Sequence, residues 1–434
     1  MSNGIRWTNK SVLAFALGQD PVHVMEERAR LIALEAMDHG WGGPPFDPVR
    51  LAQHLSLVIR PRADIPDART VPSNGGLSIE FNPLRPRGRV RFSIAHEIAH
   101  TLFPDCAESV RDRGRHIDTS SDEWQLEVLC NIGAAELLMP TGSFPELADT
   151  EIDINELIKL RRKFDVSTEA LLIRTVKLTT APCAAFCASI NEKTRRYRLD
   201  YLIPSSTWKT PLRAGIELPA DTVVTEADAI GFTAVGDEVW EESKVKVQCV
   251  SLAPYPGNLI PRAVGIVSVP ASHGTKEPQI HLVTGNALVP RGGETKILAH
   301  VVPDSTLSWG GGGFAAQLKH KYPQAATQFR EAMQRSPKSH RVGVSVKSKI
   351  SDDLYVFHMI AQRGHGNEEE VRVRYSALSK CLADLNSWAV ELGASVHMPP
   401  IGTGHGGGDW KVISELILEE LVRKGTEVTV YQFH

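Results

Sequence analysis

The 434-residue chain has no uncharged apolar run approaching the roughly 18 residues that a membrane-spanning helix needs, so no membrane partner is expected. It has no excess of charge of one sign. Lys and Arg number 48 against 51 Asp and Glu, a formal net charge of −3 with a pI near 6.6. A global field for polyanions is therefore not expected. Cysteine is sparse. The six stand at positions 106, 130, 183, 187, 249 and 381, with no C-x-x-C pair, and only Cys183 and Cys187 are close. That spacing excludes a disulfide framework and fits a reduced, cytosolic chain. The first residues, MSNGIRWTNKSV, lack the apolar core of a signal peptide, and a cytoplasmic location is expected. Internal repeats and low-complexity segments are also missing. What is present, 42% hydrophobic and 23% charged residues, is a globular composition with length for two to four domains.

The chemistry concentrates first in RFSIAHEIAHTLF, residues 91–103, which holds His96, Glu97 and His100 in an H-E-x-x-H pattern. On a helix, positions i and i+4 share a face, so two imidazoles can hold one zinc ion with Glu97 beside it. A zinc-bound water has its pKa lowered to about 7, and Glu97 could take its proton. Upstream, residues 21–40 read as an amphipathic helix ended by Gly40. Asp47-Pro48 opens a second helix, followed by a strand, LVIRP. GGLSIEFNP, residues 75–83, alternates Leu77, Ile79 and Phe81 against Ser78 and Glu80. It reads as a half-buried strand, either the cleft edge where an extended substrate would add or an ordinary sheet strand. A catalytic zinc needs a third protein ligand. Asp105, His116, Glu123 and Glu127 are the candidates, the last two on a helix, residues 122–139, ended by Pro140.

RFSIAHEIAHTLFPD followed by E-x-x-C-N-x-x-AAELLMP, Glu127 to Pro140, resembles the ImmA/IrrE family of metallopeptidases over roughly residues 5–180. The resemblance implies Zn²⁺ held by His96, His100 and Glu127, with Glu97 as general base. Cys130 departs from the small Ala usual there. The resemblance further implies a helix-turn-helix repressor as protein substrate, and a role in stress response and transcription regulation. Residues 154–178 have helix-turn-helix spacing, with a turn at Phe164-Asp165-Val166 and Ser167 as cap. Lys159, Arg161, Arg162, Lys163 and Arg174 give local basic charge. A packing lobe is favoured over direct DNA contact. Residues 183–270 alternate strand-like runs with Pro- and Gly-bearing turns, in a place where the family often carries a GAF-like region.

The second half carries a different pattern. ASHGTKEP, residues 271–278, reads as a linker. A strand then ends at Gly285-Asn286, and a second, Ile297 to Val302, leads past Asp304 to Gly310, Gly311, Gly312, Gly313 and Phe314, where a helix starts. Near the end, SVHMPPIG runs into Gly402, Thr403, Gly404, His405, Gly406 and Gly407 before another helix. Two glycine-rich loops, each between a strand and a helix, suit the two sides of a diphosphate. This half resembles a macro domain, the ADP-ribose-binding fold, over roughly residues 276–434. The resemblance implies that these loop residues, with Gly285, Asn286 and Asp304, bind ADP-ribose or a related nucleotide. Asn286 stands where the family has Asp, and Pro303 where an Asn is usual. Asp304, His358 and His405 are the acid/base candidates for hydrolysis, but the losses favour binding.

The expected fold class is multidomain α+β and α/β. A zincin-like peptidase domain with a helical lobe spans 1–142 and 143–182. A small α+β or GAF-like module spans 183–270, and a three-layer α/β/α macro domain spans 276–434. The expected function is a zinc endopeptidase with a nucleotide-binding controller. The alternatives are a non-proteolytic zinc-containing sensor of ADP-ribosylated targets, and an ADP-ribosyl hydrolase with an attached peptidase.

Overall fold

The computed structural model describes residues 7–73, 76–106, 111–112, 122–144, 152–179, 181–191, 193–254, 261–269, 279–292, 295–305, 307, 309, 312–335, 341–364 and 371–432. The 271–278 linker, His116, Gly310 and Gly311 lie outside the described residues. Two compact units form: residues 1–30, 42–140 and 144–277 in one, and 31–41, 141–143 and 278–434 in the other. No helix among the described residues is long and apolar enough to cross a membrane.

The first unit holds α1 (Lys10–Ala16), the part of α2 (Pro21–Asp38) up to Arg30, and α3 (Pro48–His54), the last capped by the Asp47 carboxylate. A four-stranded sheet follows, made of β1 (Val58–Pro61), β2 (Ala68–Ser73), β3 (Gly76–Phe81) and the two-residue β4 (Arg111–Asp112), in the order β1-β3-β2-β4. The 77–81 strand is therefore not the cleft edge. β1 pairs with it in parallel on one side and β2 antiparallel on the other, so both rows of its backbone groups are taken. Its alternation also misleads. Ser78 and Glu80 are buried, because an interior strand is covered on both faces, and Glu80 is ion-paired with Arg69 at 2.8 Å.

Against this sheet lies α4 (Arg87–His100), whose residues from Ser93 to His100 are all buried. α5 (Glu123–Leu138) packs on α4 at Gly133, where an added Cβ would stand 2.9 Å from Ala99 Cβ and 2.8 Å from Met25 Sδ. The missing side chain lets the two helices approach beside His100. α6 (Ile154–Phe164) and α7 (Thr168–Leu178) turn through Asp165, in the left-handed region at φ 55°, and Ser167 accepts from the Ala170 amide as expected of a cap. The turn is clamped to α4: Arg91 donates to the Phe46 carbonyl and lies 3.4 Å from the Asp165 carboxylate. Arg174 is not a surface cation. It is buried, pairs with Glu136 through both guanidinium nitrogens and donates to the Met139 carbonyl. Removing one partner of a buried pair costs about 3–5 kcal/mol, whereas apolar replacement of both is near neutral. Arg174→Met is thus expected to lower the denaturation midpoint strongly, and adding Glu136→Leu to restore most of it.

The unit ends in a five-stranded antiparallel sheet, order β6-β5-β9-β8-β7. Its strands are β5 (Cys183–Ile190), β6 (Tyr197–Pro204), β7 (Thr233–Trp240), β8 (Ser243–Leu252) and β9 (Arg262–Ser268). Trp240 and Phe186 meet edge to face in its core.

The second unit is a six-stranded sheet, order β10-β15-β14-β11-β13-β12. Its strands are β10 (His281–Thr284), β11 (Lys296–Pro303), β12 (Val344–Lys349), β13 (Leu354–Gln362), β14 (Ser395–Met398) and β15 (Val428–Gln432). All pairs are parallel except β12–β13. Helices α8 (Gly313–Lys321) and α9 (Pro323–Arg335) lie with one core, and α10 (Tyr375–Leu392) and α11 (Trp410–Glu420) with the other. Strands β11 and β13 feed both. Ile297, Ala299, Phe357 and Met359 face one core, and Leu298, Val302, Val356 and Ile360 the other. Burial on both faces is why these strands read as continuous apolar runs.

Within that second core sits a polar chain. His300 Nε2 and His358 Nδ1 are 2.6 Å apart, and His358 Nε2 meets Ser348 Oγ at 3.0 Å, beneath Trp309 and Phe329. His358 is fully buried and so is not an accessible acid/base group. Burial pushes His300 down to about 3, and burial with the charge of His300 pushes His358 well below its usual value. The unfolded chain takes up protons below about pH 6.5, where the native pair does not. Stability is therefore full above that pH and is lost as pH falls towards 3, by up to about 1.4 kcal/mol per pH unit for one histidine. Amide exchange in β11 and β13, corrected for its intrinsic pH dependence, should be faster at pH 5 than at pH 7. The double variant His300→Leu/His358→Met should flatten the difference.

Candidate metal centre and glycine-loop site

Helical periodicity sets His96 over His100 on α4 and Glu127 over Asn131 on α5. The two faces meet. His96 Nε2 lies 3.1 Å from His100 Nε2 and 3.1 Å from Glu127 Oε2, and His100 Nε2 lies 3.3 Å from Glu127 Oε1. Both histidines are almost fully buried, and Glu127 keeps one fifth of its side chain exposed. Two ligands on a tetrahedral ion with bonds of about 2.0–2.1 Å stand roughly 3.3 Å apart. The three donor atoms are therefore already spaced as metal ligands, and their chemistry, two imidazoles and a carboxylate, suits zinc. Burial raises the Glu127 pKa, but the hydrogen bonds and charges of His100 and His96 outweigh it, and the net shift is down. Burial lowers His100 and outweighs the carboxylates of Glu127 and Glu97.

Two supporting residues have no signature in the sequence. Asn131 Oδ1 lies 3.0 Å from His96 Nδ1, which places the ring proton there and leaves Nε2 as the lone-pair donor. Thr70 on β2, fully buried, donates its hydroxyl to Glu97 Oε2 at 2.8 Å. Glu97 is itself fully buried. Of the other candidate ligands, Asp105 accepts from Ser11, and Glu123 lies in the first turn of α5, four residues before Glu127. Cys130 is drawn in instead: its Sγ and one ring nitrogen of each histidine lie within 4.8 Å of one another.

In the second unit, α8 starts at Gly312 with no side-chain cap, and a Cβ on Gly312 or Gly313 would meet nothing within 4 Å. Trp309 holds the loop by donating from Nε1 to the Ala315 carbonyl. The second loop folds on itself: Gly407 N donates to Gly404 O and Gly408 N to Gly402 O, both at 2.9 Å. Gly406 O accepts from the Arg372 and Val373 amides. Among the described residues, no protein acceptor takes the amides of Thr403, Gly404, His405 or Gly406. Gly285 closes onto Gln432 O, and Asn286 uses its Oδ1 to accept from the Leu288 amide. Asp304 accepts from the Gly364 amide at 2.9 Å, and His405 is exposed on its loop.

Residues 63–176 match the IrrE N-terminal-like domain, and residues 303–417 match the macro domain. The radiation response metalloprotease IrrE of Deinococcus deserti is 35% identical over 107 residues, 24% of this chain and 38% of that protein. The radiation response metalloprotease IrrE of Deinococcus radiodurans is 26% identical over 230 residues, 49% of this chain and 61% of that protein. The chain spans less than two thirds of the length of either. The solved macrodomain protein from Streptomyces coelicolor is 32% identical, covering 36% of this chain and 99% of that one, with a TM-score of 0.31. This chain joins an IrrE-like peptidase domain to a macro domain.

Proposed function

We propose that the chain is a zinc-dependent endopeptidase that cuts a regulatory protein of the helix-turn-helix repressor type, and that its macro unit binds ADP-ribose or a related nucleotide as signal or recruitment site. The observation that carries the first part is the convergence of His96, His100 and Glu127 at 3.1–3.3 Å, with Glu97 in the same α4 turn. A bound zinc ion supplies Lewis acidity towards the scissile carbonyl and a more acidic water. His96 and His100 hold it as neutral imidazoles, and Glu127 supplies the compensating charge. Glu97 accepts a proton from the attacking water and delivers it to the leaving amine. Thr70 holds one carboxylate oxygen of Glu97, which fixes the rotamer for that transfer. The domain limits 1–142, 143–182, 183–270 and 276–434 belong to the same proposal.

The macro part rests on the amides of residues 403–406, which meet no protein acceptor among the described residues, and on the start of α8, which no described side chain caps. Hydrolysis is not favoured, because Asp304 is committed to the Gly364 amide and Pro303 brings no side-chain amide. The test is direct. The zinc-loaded chain is incubated with a proteome-derived peptide library and with purified helix-turn-helix repressors, and the products are read by mass spectrometry. Calorimetry with ADP-ribose tests the second unit. Cleavage with one zinc per chain supports the reading, and intact substrates from fully loaded protein would sink it.

A further inference from the structure

Residues 214–243 hold eight Asp and Glu and no Lys, Arg or His, in a chain whose charges otherwise nearly balance. The stretch forms the approach to β7, β7 itself and the turn after it, at one end of the five-stranded sheet. Among the described residues, β7 pairs with β8 alone. The Ser251 amide donates to the Phe232 carbonyl, so antiparallel alternation turns the amides and carbonyls of Thr233, Val235, Asp237 and Val239 away from β8. No described residue hydrogen-bonds to them there. The side chains of these residues face outward too. Val235 and Val239 are 47% and 53% exposed, and Ile230 and Phe232, which lead into the strand, 60% and 59%. Sheet edges are normally blunted by Lys, Pro or shortness. β7 is eight residues long and contains neither residue.

The acids decide what can cover this edge. Glu217 and Glu238 are used inside the fold, by Asn191 and Thr194 and by the Val223 amide and Trp240. Asp228 before the strand and Glu241 and Glu242 after it are exposed, with no side-chain partner among the described residues. Lys246 stands across from Asp237 and Lys244 across from Val239, both one strand inward on β8. An added strand would lie about 10 Å from them, two strand spacings. It would meet Val235, Asp237 and Val239 on one face, with acids beyond both ends. A second copy of this chain does not fit. Antiparallel self-pairing that sets Val235 against Val239 also sets Asp237 against Asp237. Sliding one way sets Asp237 against Glu241, and sliding the other way sets Glu242 against Asp228. Like charges directly opposite destabilise a strand pair. We propose that β7 is a docking edge for an extended, basic segment of a partner protein, which adds to the sheet as a further strand. The segment carries two apolar residues four positions apart, a Lys or Arg midway between them, and positive charge at its ends. Backbone bonds to the outward groups of β7 give affinity, and the valines and acids give selectivity. The inference is independent of the metallopeptidase reading.

The test uses the full chain and the end-capped heptapeptide KVTKTVK, which reads the same in both directions and so fits either strand polarity. Its control is EVTETVE. Titrated at low ionic strength, KVTKTVK should bind, slow amide exchange in residues 233–239, and weaken as salt screens the acids. EVTETVE should not bind. Glu241→Lys/Glu242→Lys, at two exposed turn positions, should weaken KVTKTVK about tenfold by replacing attraction with repulsion. Val235→Thr/Val239→Thr keeps the β-branched shape and should weaken it about fivefold through lost apolar contact. Absence of KVTKTVK binding, equal binding of EVTETVE, or protection of amides outside β7 overturns the proposal. So does a dimer, seen by sedimentation, whose formation protects the β7 amides. Metal content and cleavage enter none of these measurements, so failure here and failure of the peptidase reading are told apart.

Discussion

Glu97→Gln should lower kcat/KM for peptide cleavage about 10³-fold and leave one zinc per chain. General acid–base catalysis contributes typically 10²–10⁴-fold, and 10³ corresponds to roughly 4 kcal/mol of barrier. The amide has the shape of the carboxylate, and its oxygen can still accept the Thr70 hydroxyl, which sits 2.8 Å from Glu97 Oε2. What it cannot do is take up a proton. The fully buried position favours a neutral replacement as well, so the variant should be no less stable than the parent. His100→Ala makes the contrast. It removes a donor that lies 3.1 Å from His96 and 3.3 Å from Glu127, so metal and activity should fall together. Metal content by elemental analysis, measured beside rates on one defined peptide, separates the two outcomes. A Glu97→Gln chain that cuts at the parental rate would remove Glu97 from the mechanism.

The parts of this centre that could be read beforehand are those carried by helical spacing. His96 to His100 and Glu127 to Asn131 are both i to i+4, and a single helix face is visible in a string of letters. Thr70 and Asn131 carry no signal in the sequence because their partners lie 27 and 35 residues away, and a lone Thr or Asn has no pattern of its own. The interior place of strand 77–81 is silent in the sequence for a related reason. Its parallel neighbour, β1, is only four residues long, and nothing local says that it pairs there. Arg174 shows the opposite error. A basic residue on an amphipathic helix reads as surface charge, and only the buried Glu136, 38 residues earlier on another helix, turns it inward. In the second unit, glycine spacing marked both loops, but which amides stay unpaired depends on the self-contacts of residues 402–408.

Those self-contacts make Gly406→Ala the larger of the expected losses in the second unit. A Cβ on Gly406 would stand 2.5 Å from the Gly402 carbonyl oxygen, a contact that backbone must relieve by moving. The same oxygen accepts from Gly408 N at 2.9 Å, so the shift pulls apart the turn that presents the amides of residues 403–406. Gly406 cannot swing away freely, because its own carbonyl is held by the Arg372 and Val373 amides. Overpacking of this kind costs typically about 1–3 kcal/mol. If that cost falls on the bound loop geometry, ADP-ribose affinity drops by roughly 5–150-fold. Calorimetric titration measures the loss. Thermal unfolding of the same variant shows whether the loss is confined to the loop or spreads to β13, whose Gln362 bridges to Val373. A variant that binds as tightly as the parent would mean that the nucleotide does not use these amides, and the helix start at Gly312 would then have to carry the diphosphate alone.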